Sequence, residues 1–143
     1  MTKIRKAQIE ALREAIGALT RAYKIPEKTD SNVAWCLNPS DAQALLYITG
    51  NPGCIASDVA SFLGVVPTTA STILDRLSKR DLIRRSRTEE NRRIVKLTPT
   101  PEGKKSAAAL VAEQEGHCAQ MLSHLDSEER DTFIALILKV AGL

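Results

Sequence analysis

Two clusters of side chains in this 143-residue chain combine donor and acceptor chemistry with a regular spacing. The first is Thr68, Thr69, Ser71 and Thr72, short hydroxyl side chains that follow directly on Pro67. The second is a run of basic residues that includes Arg92 and Arg93. Short hydroxyls donate and accept hydrogen bonds close to their own backbone, so a surface built from them can approach base edges or phosphate oxygens. Guanidinium groups neutralise phosphates and enter narrow, electronegative minor grooves. From Asp75 to Lys96 nine basic residues stand against four acidic ones, net +5, whereas the whole chain carries +3. The positive charge is therefore local, as expected of a phosphate-facing surface and not of general solubilisation.

Regular elements must hold these groups. From Pro67 onward, Ala70, Ile73, Leu74 and Leu77 fall at i, i+3, i+4 and i+7, the period of a helix with one core face. Thr68, Thr72, Asp75 and Lys79 then lie opposite that stripe, with Thr69, Ser71 and Arg76 on its flanks. Pro67 suits a first helical turn, where its missing N–H costs nothing. Gly64-Val65-Val66 reads as the turn from a shorter helix, Asp58 to Leu63. After the second helix, Leu82 to Arg87 and Arg93 to Leu97 read as two strands joined by a polar turn around Thr88-Glu89-Glu90-Asn91. Helix, turn, helix and basic hairpin make a winged helix-turn-helix, whose second helix enters the major groove with its N-terminal residues leading.

The rest of the chain supplies more helices. Ile9, Leu12, Ile16, Leu19 and Tyr23 predict a helix from about Ile4 to Lys24 that stops before Pro26. A polar connector then leads through Trp35-Cys36-Leu37 into a helix with Asn38 as N-cap and Pro39 in its first turn, ending near Gly50. Cys54-Ile55 could add a very short strand beside the wing. Thr100, Pro101 and Glu102 begin a long helix to about His124. Asp126-Ser127-Glu128-Glu129 resembles a capping box before a last helix with an apolar face of Phe133, Leu136, Ile137 and Val140. The fold class is therefore α+β, mostly α. Residues 1–36 and 100–143 are expected to dimerise across a two-fold axis, and 37–99 to form the DNA-binding lobe.

Composition excludes other classes. With only 3% aromatic residues, the core must be mainly Leu, Ile, Val and Ala. There is no apolar run of about 18 residues to span a membrane and no secretory leader pattern at the N-terminus, so a cytoplasmic location is expected. Cys36, Cys54 and Cys118 are odd in number and lack paired spacing, which does not fit a disulfide framework. Cys54 reads as a small buried hydrophobe. Cys36 beside Trp35, or Cys118 on the long helix, would carry a redox-sensing alternative. His117 and His124, seven apart on one helix face, are too distant to share a metal without further ligands. With no nucleophile motif, phosphate loop or paired-carboxylate setting, the chain is not expected to be an enzyme, and neither metal nor cofactor is expected.

Several motifs together resemble the multiple-antibiotic-resistance regulator (MarR) family, over nearly the whole chain. They are Leu37-Asn38-Pro39-Ser40-Asp41-Ala42-Gln43-Ala44-Leu45-Leu46, Asp58-Val59-Ala60 with Leu63-Gly64-Val65, Asp75-Arg76-Leu77, and Asn91-Arg92-Arg93-Ile94-Val95-Lys96-Leu97-Thr98-Pro99-Thr100-Pro101-Glu102-Gly103. The resemblance implies a homodimeric winged-helix transcription regulator, usually a repressor, on a pseudo-palindromic operator. DNA affinity in such proteins falls when a small effector binds between the dimer helices and the DNA-binding lobe, or when a cysteine is oxidised. It also implies base or phosphate contacts from Thr68, Thr69, Ser71 and Thr72, and a minor-groove role for Arg92 at the wing tip beside Arg93. Arg76 is open between a DNA contact and a bond inside the lobe. The effector site can be placed only by region, near Trp35 and Cys36. Four positions depart from the family pattern: Asn91 replaces an acidic residue, Asp81 a glycine, Val66 a hydroxyl cap and Pro99 an aliphatic residue. The alternative is a winged helix serving as a constitutive architectural or protein-interaction module. Steep salt dependence of binding separates DNA from an apolar protein partner.

Overall fold

Aliphatic side chains, not aromatic ones, fill the core. The computed structural model describes residues 2–23 and 37–143. Contacts divide the chain into two compact units, Met1–Asp30 and Ser31–Leu143. The expected connector and the Trp35-Cys36 region lie outside the described residues.

Within the first unit, α1 (Lys6–Ala22) is capped by Arg5, whose backbone N–H donates to Gln8 Oε1 at 3.0 Å. It is slightly shorter than the stripe suggests, and none of its residues is buried. Ile9, Leu12 and Ile16 are all more than half exposed along one face.

The second unit opens with α2 (Pro39–Gly50), where Asn38 Oδ1 accepts from the Asp41 N–H at 2.9 Å, the cap expected from sequence. Next come α3 (Ala56–Leu63) and α4 (Pro67–Lys79). α3 starts two residues before Asp58 because the Asp58 carboxylate accepts from the Ile55 N–H at 3.0 Å; the acid closes the first turn instead of preceding it. Gly64 ends α3 at φ 68°, a left-handed turn that redirects the chain into α4. Val66 stands at the α4 N-cap and gives no side-chain hydrogen bond. Leu45, Ile48, Val59, Ile73, Leu74 and Leu77 are buried together with Leu82, Ile83 and Leu97.

The wing is a two-stranded antiparallel sheet, β1 (Ile83–Arg87) and β2 (Val95–Pro99), with Ile83 opposite Pro99 and Arg87 opposite Val95. β2 begins two residues later than expected. Arg93 and Ile94 belong instead to the tip, where Asn91 Oδ1 accepts from the Arg93 N–H and Thr88 Oγ1 from the Asn91 N–H, both at 3.2 Å. Those local bonds give the backbone an alternative to the ladder. Cys54 bridges to Leu97, as its sequence position suggested: Leu97 N–H donates to Cys54 O at 2.8 Å and Gly53 N–H to Leu97 O at 2.7 Å.

Finally α5 (Pro101–Leu122) and α6 (Ser127–Ala141) follow. Asp126 and Glu129 form the expected reciprocal capping box on α6. α5 ends before His124, so His117 and His124 do not share a helix face. None of the α6 residues is buried.

A buried joint links wing and α5. Thr100, 1% exposed, donates from Oγ1 to Asp81 O at 2.6 Å and accepts there from the Gly103 N–H at 2.9 Å, while its own N–H donates to Leu82 O at 3.0 Å. Asp81 is the one non-glycine residue with positive φ among those described, at 57°. Asp is among the few non-glycine residues that visit that region. A Cβ at Gly103 would collide with the backbone carbonyl of Leu82, so only glycine permits this close approach. Gly103→Ala is expected to lower stability by about 2 kcal/mol through that overlap. Asp81→Gly, which removes left-handed strain but adds unfolded-state freedom, is expected to shift it by no more than about 0.5 kcal/mol either way. Urea midpoints at unchanged m-value measure both; an unshifted Gly103→Ala midpoint contradicts the joint.

Candidate nucleic-acid interface

The rotation of α4 about its own axis decides which of its side chains meet a ligand. With Ala70, Ile73, Leu74 and Leu77 inside, Thr68, Thr69, Ser71 and Thr72 are all exposed. Thr72 Oγ1 donates back to Thr68 O at 3.0 Å, so this hydroxyl offers its lone pairs and methyl group outward. Among the described residues the hydroxyls of Thr68, Thr69 and Ser71 have no hydrogen-bond partner, which leaves donor and acceptor capacity for an incoming surface. Pro67 in the first turn adds no N–H, and the first-turn amides that remain carry the positive end of the helix dipole.

Neighbouring residues near the C-terminal end of α4 reach in opposite directions. Arg76 reaches toward α2 along the surface of the lobe: Nε donates to Asp41 Oδ2 at 2.9 Å and Nη2 to Asp41 Oδ1 at 2.7 Å, a bidentate bond to a carboxylate that is 3% exposed, while 44% of the arginine side chain stays accessible. The bond inside the lobe, one of its two sequence readings, is present because the flank of α4 next to the stripe faces the start of α2. The bonds from Asp41 raise the Arg76 pKa further above its ordinary value. Asp75 instead meets the wing, accepting from Arg85 Nη2 at 2.7 Å. Neither Asp41 nor Arg85 stood out in the sequence as a site residue. Their signal was present only as a charged residue inside the Leu37 to Leu46 motif, for Asp41, and as one of several arginines in the first wing strand, for Arg85, without any indication of partners.

At the wing tip Arg92 and Arg93 are exposed, and neither side chain has an ion-pair partner among the described residues. Arg87 crosses the hairpin to donate from Nη1 to Arg92 O at 2.7 Å, fixing the backbone that projects Arg92. A cleft of about 460 Å³ between α4 and the wing is lined by Ser71, Asp75, Arg85, Arg87, Val95 and Leu97, together with other apolar residues. One hydroxyl, a paired carboxylate and two guanidinium groups thus share one opening with an apolar floor.

Cysteine and histidine chemistry is sparse. Cys54 is buried; desolvation, with the Asp58 charge adding to it, raises its thiol pKa. Cys118 on α5 is exposed. No group of three or more His, Cys, Asp or Glu side chains among the described residues is placed to hold a metal ion, and no described helix is long and apolar enough to cross a membrane.

Comparison with known proteins points the same way. The model of the MarR family matches residues 37–94, which run from the start of α2 into the wing tip. The HTH-type transcriptional regulator YybA of Bacillus subtilis strain 168 is 36% identical over 96 residues, covering 67% of this chain and 64% of its own length. The chain thus spans just under two thirds of that relative. The crystal structure of the transcriptional regulator SlyA superposes with a TM-score of 0.73 at 26% identity, covering 92% of each chain. Streptococcus pneumoniae FabT, solved in complex with DNA, superposes at 0.79 with 18% identity over 93% of this chain and 92% of its own, a likeness of fold.

Two outcomes follow from the geometry. Arg92→Ala should weaken duplex binding about tenfold and leave thermal unfolding unchanged, since the side chain holds nothing else; wild-type affinity would remove the wing from the interface. Cys118 should react with a disulfide probe at pH 8 far faster than Cys54, read by peptide mapping of the native protein. Equal rates would contradict the burial of Cys54.

Proposed function

Because the chain belongs to the MarR family of DNA-binding transcriptional regulators, we propose that it acts as a homodimer on a pseudo-palindromic operator and represses transcription there. The observation that carries this reading is the pairing of free hydroxyls on exposed Thr68, Thr69 and Ser71 with uncompensated Arg92 and Arg93 at the wing tip. Base contacts fall to the hydroxyl face and phosphate and minor-groove contacts to the wing, with Arg76 positioning α4 from within. Residues 37–99 are the DNA-binding lobe; 1–36 and 100–143 supply the dimer surface.

Support for the dimer comes from apolar surface at both ends of the chain. Ile9, Leu12 and Ile16 on α1, and Leu136, Ile137 and Val140 on α6, are each more than half exposed. A lone copy would leave this surface in water, at roughly 25 cal/mol per Å². A two-fold pairing places two recognition helices about one DNA turn apart, roughly 34 Å, and so favours an inverted repeat. Repression then follows from occupancy of the operator. A small effector that prefers another spacing of the two helices relieves it, by no more than its differential affinity for the two states. Two structural neighbours are described with small molecules: PcaV of Streptomyces coelicolor in complex with its natural ligand, and BpsR of Bordetella bronchiseptica, whose DNA binding is regulated by 6-hydroxynicotinic acid. The protein works where the DNA is, in the cytoplasm.

Selection of bound fragments from genomic DNA by the purified protein tests this. An enriched inverted repeat with half-sites one helical turn apart, and affinity falling steeply with salt, is the expected result. Salt-sensitive binding without an enriched sequence would leave only an architectural role, and salt-insensitive binding to protein would remove DNA as the partner.

A further inference from the structure

The ion pair between α4 and the wing is exposed at both ends, Asp75 at 57% and Arg85 at 37% of their side-chain surface. Pairs of that kind add little to folding stability. Its placement is less ordinary. Asp75 lies on the same outward face as Thr68 and Thr72, in a region otherwise rich in positive charge, where an unpaired carboxylate would repel phosphates. Arg85 is on the first wing strand, and the 2.7 Å bond closes over the cleft that Ser71 and Arg87 also line. The next residue, Arg76, bonds to Asp41 on the other side of α4. Successive side chains therefore tie α4 to the wing in one direction and to α2 in the other.

We infer that Asp75 and Arg85 are a positioning pair that sets the angle between recognition helix and wing, so that the hydroxyl face and Arg92 engage one stretch of DNA together. The inference rests on the DNA-binding reading above. It names a source of sequence discrimination in residues that need touch no base. The wing is held to the lobe at its base by the Cys54–Leu97 bridge and the buried Leu82 and Ile83, while its tip is organised by Arg87 and Asn91. Between those ends, this bond is the charged side-chain link from wing to α4 among the described residues. Exclusion of water by an arriving duplex strengthens it.

The test separates geometry from charge. Asp75→Asn removes a negative charge near phosphates; if charge alone mattered, it would tighten operator and random duplex alike. The pair instead requires operator affinity to fall about tenfold while random-duplex affinity holds or rises. The reciprocal exchange, Asp75→Arg with Arg85→Asp, keeps net charge and should restore operator affinity to within about threefold. Tighter binding of both duplexes by Asp75→Asn, or failure of the exchange to rescue, overturns the inference; the latter would assign Asp75 to direct reading of a base edge. Residual dipolar couplings of the wing amides, measured without DNA, give a second reading. The wing should reorient relative to α4 in Asp75→Asn and return in the exchange variant, and an unmoved wing overturns the inference. If the wild-type protein enriches no sequence, the operator model falls, and the couplings alone decide the pair.

Discussion

The rotational setting of α4 governs everything that faces outward from this lobe. Four residues set it: Ala70, Ile73, Leu74 and Leu77, each no more than 2% exposed. Burying an aliphatic side chain of this size is worth roughly 1.5–3 kcal/mol relative to leaving it in water. A turn of α4 by one residue would bring threonine and serine hydroxyls into an aliphatic core with no partners. The penalty for unpaired buried hydroxyls reinforces the gain from the stripe, and the two together leave one rotation. The interface is thus the complement of the core.

Rotation alone does not fix where a helix points. Along its axis α4 is braced by Arg76 on Asp41, and at its end the chain turns through the left-handed Asp81 into Leu82, whose carbonyl accepts from Thr100. Thr100 therefore belongs to three structures: it closes the turn after α4, ends the wing, and caps α5. A displacement of α5 is felt at the base of the wing through hydrogen bonds of 2.6 to 3.0 Å, not through a flexible loop. Gly103 is the steric condition for that contact.

Charge is distributed with similar economy. Arg76 and Arg85 are engaged by Asp41 and Asp75, and Arg87 by a backbone carbonyl, whereas Arg92 and Arg93 carry their charge unpaired at the tip. The local surplus of positive charge thus separates into residues whose cations are engaged within the lobe and residues whose charge faces solvent. A count of basic residues cannot distinguish these two groups; their partners can.

Local chemistry made much of this legible before any coordinates. The stripe of α4, the Asn38, Thr100 and Asp126 caps, the glycine turn at Gly64 and the Cys54 bridge follow from residue type and short-range spacing, and each appears where expected. Periodicity reports which face is buried because 3.6 residues per turn is a property of the backbone itself. Tertiary structure alone decided the ion pairs. Asp41 and Arg76 are 35 residues apart and Asp75 and Arg85 are ten, and no local rule says which of many charges will meet. It also decided the wing tip, where bonds from Asn91 and Thr88 hold Arg93 and Ile94 out of the strand, and the end of α5 before His124. Spacing along a chain encodes neighbours within a few residues; a bond across the fold exists only once packing has brought its two ends together.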